Sequence, residues 1–364
     1  MTTNSKKNRI IFIDLMRAFA VLMMVQGHTV DVLLSYNYRT LDSISFSSWV
    51  FMRGMTAPIF MFSAGTVFMY LFRLVDEPFF KNPRTWKGVK RFSLLVGLGY
   101  LLRYPTATIV DFSEVTAESW KIFFAVDVLQ LIGFGVLFLL ICAFIAEKIK
   151  LPDYLVFTVA AFSFFLIYPV FDKINWITIF PRFIAGYFYM GTGSIFPLFP
   201  WVGFVICGGV LGSYLAKNPM IFRSTNFSFK LGLLGAVLII LSFFSYPVES
   251  YFYGKNIADN EYIDVILLRV GFVLMLNALV SYISIRIDYI PRIIILIGRN
   301  TLLIYIVHLT ILYGSAWNPG LSQLFEKSFN VWNTIGTAVI MISLMVGMVI
   351  LINKLKIRNK ELVT

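Results

Sequence analysis

Histidine and cysteine are scarce in this chain, with two of each in 364 residues. Cys142 and Cys207 both fall inside apolar runs and form no CxxC motif, so no disulfide framework is encoded and no metal site is expected. Charge is also short. Lys, Arg, Asp and Glu make up 14% of the residues, where a soluble domain carries about 25%. Alternating polar and apolar segments are missing as well; the 59% of hydrophobic residues gather in long runs, which points to membrane-spanning helices rather than a barrel. Acidic residues are outnumbered 19 to 31 by Lys and Arg, and in a membrane chain that excess is topological, not a nucleic-acid surface. A cleaved signal peptide is not expected, because Asp14 and Arg17 interrupt the apolar core soon after KKNR. With no internal repeat and no low-complexity stretch, residues 1–364 read as a single integral-membrane domain.

The apolar runs predict an all-α polytopic membrane protein of about ten spans: 10–34, 50–72, 90–104, 125–146, 154–171, 200–216, 230–246, 263–285, 292–315 and 331–352. Loop charge then alternates. Twenty of the 31 basic residues, among them Lys6, Lys7, Arg9, Lys87, Lys90 and Arg91, fall on one side, and acidic segments such as DFSEVTAESW on the other. That bias puts both termini in the cytoplasm, and the chain is expected in a bacterial cytoplasmic membrane, with membrane lipid as a partner and a homodimer admissible. Lys255 falls on the outer side, as does the longest outward loop, 172–199, rich in aromatic residues, Pro and Gly. That loop is either a wall for a sugar ring or an ordinary interfacial belt. The SAGT patch at Ser63–Thr66 predicts a close helix–helix approach.

Both histidines lie inside expected spans, where an ionisable group is costly and marks a cavity with work to do. In span one, Arg17 and His28 are eleven residues apart, close to three turns, so Asp14, Arg17, Met24, His28 and Asp31 lie near one face. The rise separates Arg17 from His28 by roughly 16 Å, the cation toward the inside and the base toward the outside. Asp14 offers Arg17 an ion pair, and Asp31 is placed to orient the imidazole. Span nine has the same sense, with Arg299 and Asn300 in its inner half and Tyr305 and His308 in its outer half. As one helix, it would turn Asn300 and His308 the same way and Arg299 away. Asp127 and Gln130 open span four at its outer end, Arg269 sits in the outer half of span eight, and Arg53 caps the outer end of span two. Asp127 and Arg269 are candidates for a buried pair. Such a constellation suits group transfer from a charged cytoplasmic donor, with guanidinium groups on its phosphates and a histidine base at an outward-facing acceptor. It also suits a transporter or flippase pathway lined by the same charges.

The segment IDLMRAFAVLMMVQGH resembles the first-helix signature of the transmembrane acyltransferase superfamily, Asp-x-x-Arg with a polar residue eleven positions after the Arg, and LIGRNTLLIYIVH resembles its late-helix signature. VDVLQLIG, RGMTAPIFMFSAG and SIFPLFPWVGFVICGGVLG are most similar to its heparan-α-glucosaminide N-acetyltransferase-like branch. The resemblance implies acetyl-CoA or another acyl-CoA as cytoplasmic co-substrate and a glycan or lipid-linked sugar as acceptor, with no metal and no nucleic acid. It implies donor binding at Arg17, extended here to Arg299 and Asn300, and catalysis at His28, with Asp31 and His308 beside it. Asp14, Arg53, Asp127, Gln130 and Arg269 are then acceptor-side or structural polar residues. In the glucosaminide enzymes Asn commonly holds the place of His28, and His there is more typical of the O-acetylating branch, which leans the expected acceptor toward a sugar hydroxyl.

Overall fold

The computed structural model describes residues 11–109, 111–218, 220–253, 262–287 and 289–361. Lys6, Lys7, Arg9 and Lys255 lie outside the described residues. The chain is an all-α polytopic membrane protein. Its helices are α1 (Ile11–Leu33), α2 (Ile44–Arg73), α3 (Pro83–Leu102), α4 (Ala117–Phe124), α5 (Val128–Lys148), α6 (Asp153–Phe171), α7 (Arg182–Ala185), α8 (Leu198–Lys217), α9 (Thr225–Tyr253), α10 (Ile263–Arg286), α11 (Arg292–Arg299), α12 (Thr301–Tyr313), α13 (Leu321–Phe325) and α14 (Val331–Glu361). A two-stranded antiparallel hairpin, β1 (Gly314–Ser315) and β2 (Asn318–Pro319), follows α12.

Every expected span falls on a helix or a helix pair. Among the described residues eight helices are long and apolar enough to cross a membrane: α1, α2, α4 joined to α5, α6, α8, α9, α10 and α14. A ninth is the pair α11 and α12, and here the expectation of one straight span at 292–315 is corrected, because the pair is bent by 73°. The span expected at 90–104 lies on α3, which is 20 residues long but carries Lys87, Lys90 and Arg91 in its first half. Asn82 starts α3 by accepting a hydrogen bond from the Arg84 amide at 2.8 Å, with Pro83 in the first turn, where its missing N–H costs nothing.

Two compact units are formed, with a boundary inside α2 between Phe60 and Met61. The first gathers 61–105 and 111–286. Within it the second half of α2 meets α8 backbone to backbone: a Cβ on Gly65 would lie 1.9 Å from the Val205 carbonyl oxygen, and one on Gly208 would lie 1.9 Å from that of Phe62. This is the close approach expected of SAGT, and it needs glycine on both faces. Asp153, at the start of α6, receives Arg73 of α2 at 2.7 Å, and from α8 Ser213 at 2.6 Å and Lys217 at 3.1 Å. In the 172–199 loop α7 is four residues long, and the aromatic rings fold on one another, Trp176 stacked on Phe180 and tilted against Phe188.

The second unit gathers 14–60, the segment starting at Thr106, and the chain from Ile287 onward. Its core joins Ala18, Val21, Val25 and Val32 of α1 to Ile304 and Leu312 of α12 and to Met341, Met345 and Val349 of α14. Each set recurs at helical spacing, giving three apolar stripes that face one another. The end of α1 is pinned by Ser35 N–H to Phe329 C=O and Phe329 N–H to Leu33 C=O, both at 2.9 Å.

Candidate functional site

In the second unit α1 and α12 climb side by side in the same direction. Arg17 donates to the Thr301 hydroxyl at 2.8 Å, a sequence offset of 284, and His28 Nδ1 meets the Tyr313 hydroxyl at 3.0 Å, an offset of 285. A constant offset is what parallel neighbours in register produce. Just before the bend, Gly298 of α11 also touches α1: a Cβ there would stand 2.2 Å from the Asp14 carbonyl oxygen.

The two imidazoles come together at the upper end of this pair. Their ring centroids are 5.5 Å apart, with the planes inclined by 40°. His308 is fully buried, and its Nδ1 lies 2.7 Å from the Ile304 carbonyl oxygen. A carbonyl only accepts, so Nδ1 carries the hydrogen and Nε2 of the neutral ring keeps its lone pair. That Nε2 is buried and has no hydrogen-bond partner. Tyr305 stands edge-on to His308 at 5.5 Å, and Phe60 stacks on Tyr305 at 6.2 Å. His28 is half-buried and the Tyr313 ring meets it edge-on at 5.6 Å. The arrangement offers proton-accepting nitrogen at one end of a helix pair and a guanidinium with an adjoining hydroxyl at the other, roughly 16 Å away along the axis.

Other expected residues take different places. Asp31, expected to orient His28, has its carboxylate at 2.9 Å from Arg53 and 3.5 Å from Arg39, while the partner at His28 Nδ1 is Tyr313. Arg39 also donates to the carbonyls of Val30, Asp31 and Leu34, closing the end of α1. Arg53 lies over the Trp49 ring at 5.6 Å. Nearby, Lys327 donates to the Tyr36 hydroxyl at 3.0 Å, and this hydrogen bond and its charge hold the phenol below its ordinary pKa. Asn300 sits at the bend and spends its amide on the Leu296 carbonyl at 2.8 Å, and Arg299 is exposed. Asp14 is half-buried one turn below Arg17.

Asp127, Gln130 and Arg269 belong to the first unit. Asp127 caps α5: its side chain accepts from the Val128 amide at 2.7 Å and from Arg103 at 2.7 Å, and Gln130 reaches back to the Asp127 amide at 3.3 Å. This is a reciprocal capping box, with Arg103 and not Arg269 as the partner of Asp127. The guanidinium of Arg269 lies 5.1 Å from the Trp201 ring centroid. Sequence reasoning missed Thr301, Tyr313 and Gly298. The triplet Gly-Arg-Asn at 298–300 carried a signal for the bend, since Gly and Asn mark helix ends.

A family model described as heparan-alpha-glucosaminide N-acetyltransferase, catalytic, matches residues 9–247. No curated protein matches the chain. The matched segment contains Arg17 and His28 and ends before α11, so His308 and Tyr313 lie beyond it.

Proposed function

Because the chain belongs to the heparan-alpha-glucosaminide N-acetyltransferase catalytic family, it is an acetyltransferase-type membrane enzyme, and we propose that it moves an acetyl group from cytoplasmic acetyl-CoA to a hydroxyl of an extracytoplasmic or lipid-linked sugar. The observation that carries the reading is the in-register pair of α1 and α12, with Arg17 and Thr301 at one end and His28 and His308 at the other. Arg17 faces the donor side and suits its phosphates, because guanidinium makes forked bonds to oxyanions and the Thr301 hydroxyl fixes its direction. An extended pantetheine arm is of the right order to span from there to the imidazoles. At the upper end His28 Nε2 takes the acceptor proton as the new C–O bond forms at the thioester carbon. The C–S bond breaks, and the proton passes to the leaving thiolate, so that sugar and acetyl-CoA become acetylated sugar and CoA. A placed base of this kind contributes about 10²–10⁴-fold. His308, its Nδ1 directed at the Ile304 carbonyl, lines the same end of the site, its ring 5.5 Å from that of His28. His at position 28 favours a hydroxyl, which needs a base more than an unprotonated amine does. On this reading the protein works in a bacterial cytoplasmic membrane.

The test is CoA release from acetyl-CoA by the purified protein in nanodiscs, with a pool of cell-envelope sugars as acceptors. Turnover should fall at least about a hundredfold in His28→Ala, and acetyl-CoA binding by calorimetry should weaken in Arg17→Ala. Unchanged turnover in folded His28→Ala removes the base assignment. Absence of acetyl-CoA binding by the wild type removes the donor.

A further inference from the structure

We propose that Tyr313 is a positioning residue for His28, fixing which imidazole nitrogen carries the proton, and that the hairpin following α12 exists to hold Tyr313 in place. The inference rests on the reading of His28 as base, and its test does not depend on turnover.

A neutral imidazole has one N–H and one lone pair, and the hydrogen bond at one nitrogen decides the state of the other. For His28 to accept a proton at Nε2, its hydrogen must reside on Nδ1. The group at Nδ1 is the Tyr313 hydroxyl, 3.0 Å away, and its oxygen can accept that hydrogen. In other catalytic sites a carboxylate fills this post. Here Asp31, the carboxylate one turn along α1, is bound by Arg53 and Arg39.

Tyr313 stands where precision is hardest to keep. It is the last residue of α12 and is 40% exposed, and helix ends fray. The chain stops the fraying by turning at once. Gly314 adopts φ +79°, open to glycine and strained for other residues, and a Cβ on it would stand 2.6 Å from the Gly320 amide nitrogen and 2.7 Å from the Asn318 carbonyl oxygen. The turn lets Gly314–Ser315 pair with Asn318–Pro319. The Ser315 hydroxyl then donates to the Asn318 side-chain oxygen, and the Asn318 amide donates to the Thr310 carbonyl at 3.1 Å, closing the last turn of α12. Trp317 ties the tip down by donating from its indole nitrogen to the Ala107 carbonyl at 3.0 Å. The whole YGSAWNPG segment therefore braces Tyr313, whose hydroxyl reaches His28.

The chain has only two histidines, so ¹⁵N-histidine labelling in nanodiscs yields signals from His28 and His308 alone, with His28→Gln leaving those of His308. In the wild type both rings should show the hydrogen on Nδ1 and a bare Nε2. In Tyr313→Phe the His28 nitrogens should move toward a mixture of the two tautomers while the His308 nitrogens stay unchanged, which also reports that the fold is kept. Where turnover is measured, kcat should fall about 10–100-fold with the KM for acetyl-CoA unchanged, the size expected when the group orienting a catalytic histidine is removed. Gly314→Ala, which leaves the phenol present but displaces its brace, should give the same His28 shift in part. A wild-type His28 with its hydrogen on Nε2, or His28 nitrogens unmoved in Tyr313→Phe, overturns the assignment. A tautomer shift without any turnover in the wild type would keep it and count against the acetyl-transfer reading instead.

Discussion

Replacing Gly298 with alanine should push α11, and with it the adjoining start of α12, away from α1. The added methyl would lie 2.2 Å from the Asp14 carbonyl oxygen, whereas carbon packs against such an oxygen at roughly 3.3 Å or more. The backbones therefore have to part by about 1 Å at this crossing. The obstacle is the main chain of α1, a continuous helix at this point, and not the end of a flexible side chain. Arg17 is three residues along α1 from Asp14, and Thr301 is three residues beyond Gly298, so the same displacement reaches the 2.8 Å hydrogen bond between them. A donor–acceptor distance near 3.8 Å is no longer a hydrogen bond. Overpacking costs about 1–3 kcal/mol of stability, and a hydrogen bond to a charged group is worth about 1.5–3 kcal/mol. If Arg17 holds the donor, losing its alignment should weaken acetyl-CoA binding roughly ten- to a hundredfold, since about 1.4 kcal/mol is a factor of ten. Calorimetry measures the affinity, and thermal unfolding in nanodiscs measures the stability. Thr301→Val separates the contributions, because it removes the hydroxyl without pushing the helices apart, and should weaken binding with little loss of stability. A Gly298→Ala protein with wild-type melting temperature and wild-type donor affinity would refute the backbone contact and the coupling drawn from it.

Two further predictions concern the first unit. Asp153→Ala leaves Arg73, paired at 2.7 Å and largely buried, without its carboxylate, and should cost about 3–5 kcal/mol, as breaking a buried pair does. Thermal unfolding checks it, and a loss under about 1 kcal/mol, the range of a surface pair, would mean the site is wetter than its burial implies. Asp127→Ala removes the cap of α5 and the partner of Arg103; it should cost about 1–2 kcal/mol of stability and leave acceptor kinetics unchanged. A selective rise in acceptor KM with stability intact would return Asp127 to the acceptor side.

Much of the fold was legible in sequence because hydropathy reports burial in a bilayer directly. Each apolar run became a helix, and the small residues at 63–66 became a close crossing because close crossings demand them. The bend at Asn300 was hidden by apolar residues on both sides, which keep the hydropathy high through a break that is made by backbone geometry. At the site, Arg17 and His28 could be placed on one face because eleven residues of one helix fix their relation. Thr301 and Tyr313 could not, because their relation to α1 is a contact across some 285 positions, which local periodicity does not encode. Asp31 shows a different limit. Spacing set it beside His28, yet two arginines from the following segments, Arg39 and Arg53, compete for the carboxylate, and charge attraction outweighs proximity on the helix. Asp127 and Gln130 were legible in principle as an Asp-x-x-Gln cap ahead of an apolar run, a plainer reading than an acceptor contact.

The choice between group transfer and transport turns on what α1 and α12 can do together. A transporter exposes one site alternately to each side by rocking elements past one another. Here α1 is joined to α12 at two heights, by hydrogen bonds at Arg17 and Thr301 and at His28 and Tyr313, and to α11 just before the bend, backbone against backbone at Gly298. All three share an offset of 284 or 285, so a shift of one turn would break them together. A single register is an asset for catalysis, which needs reacting groups held to within about 1 Å. The fixed pair therefore supports chemistry conducted along a stationary seam, with the guanidinium at one end and the imidazoles at the other.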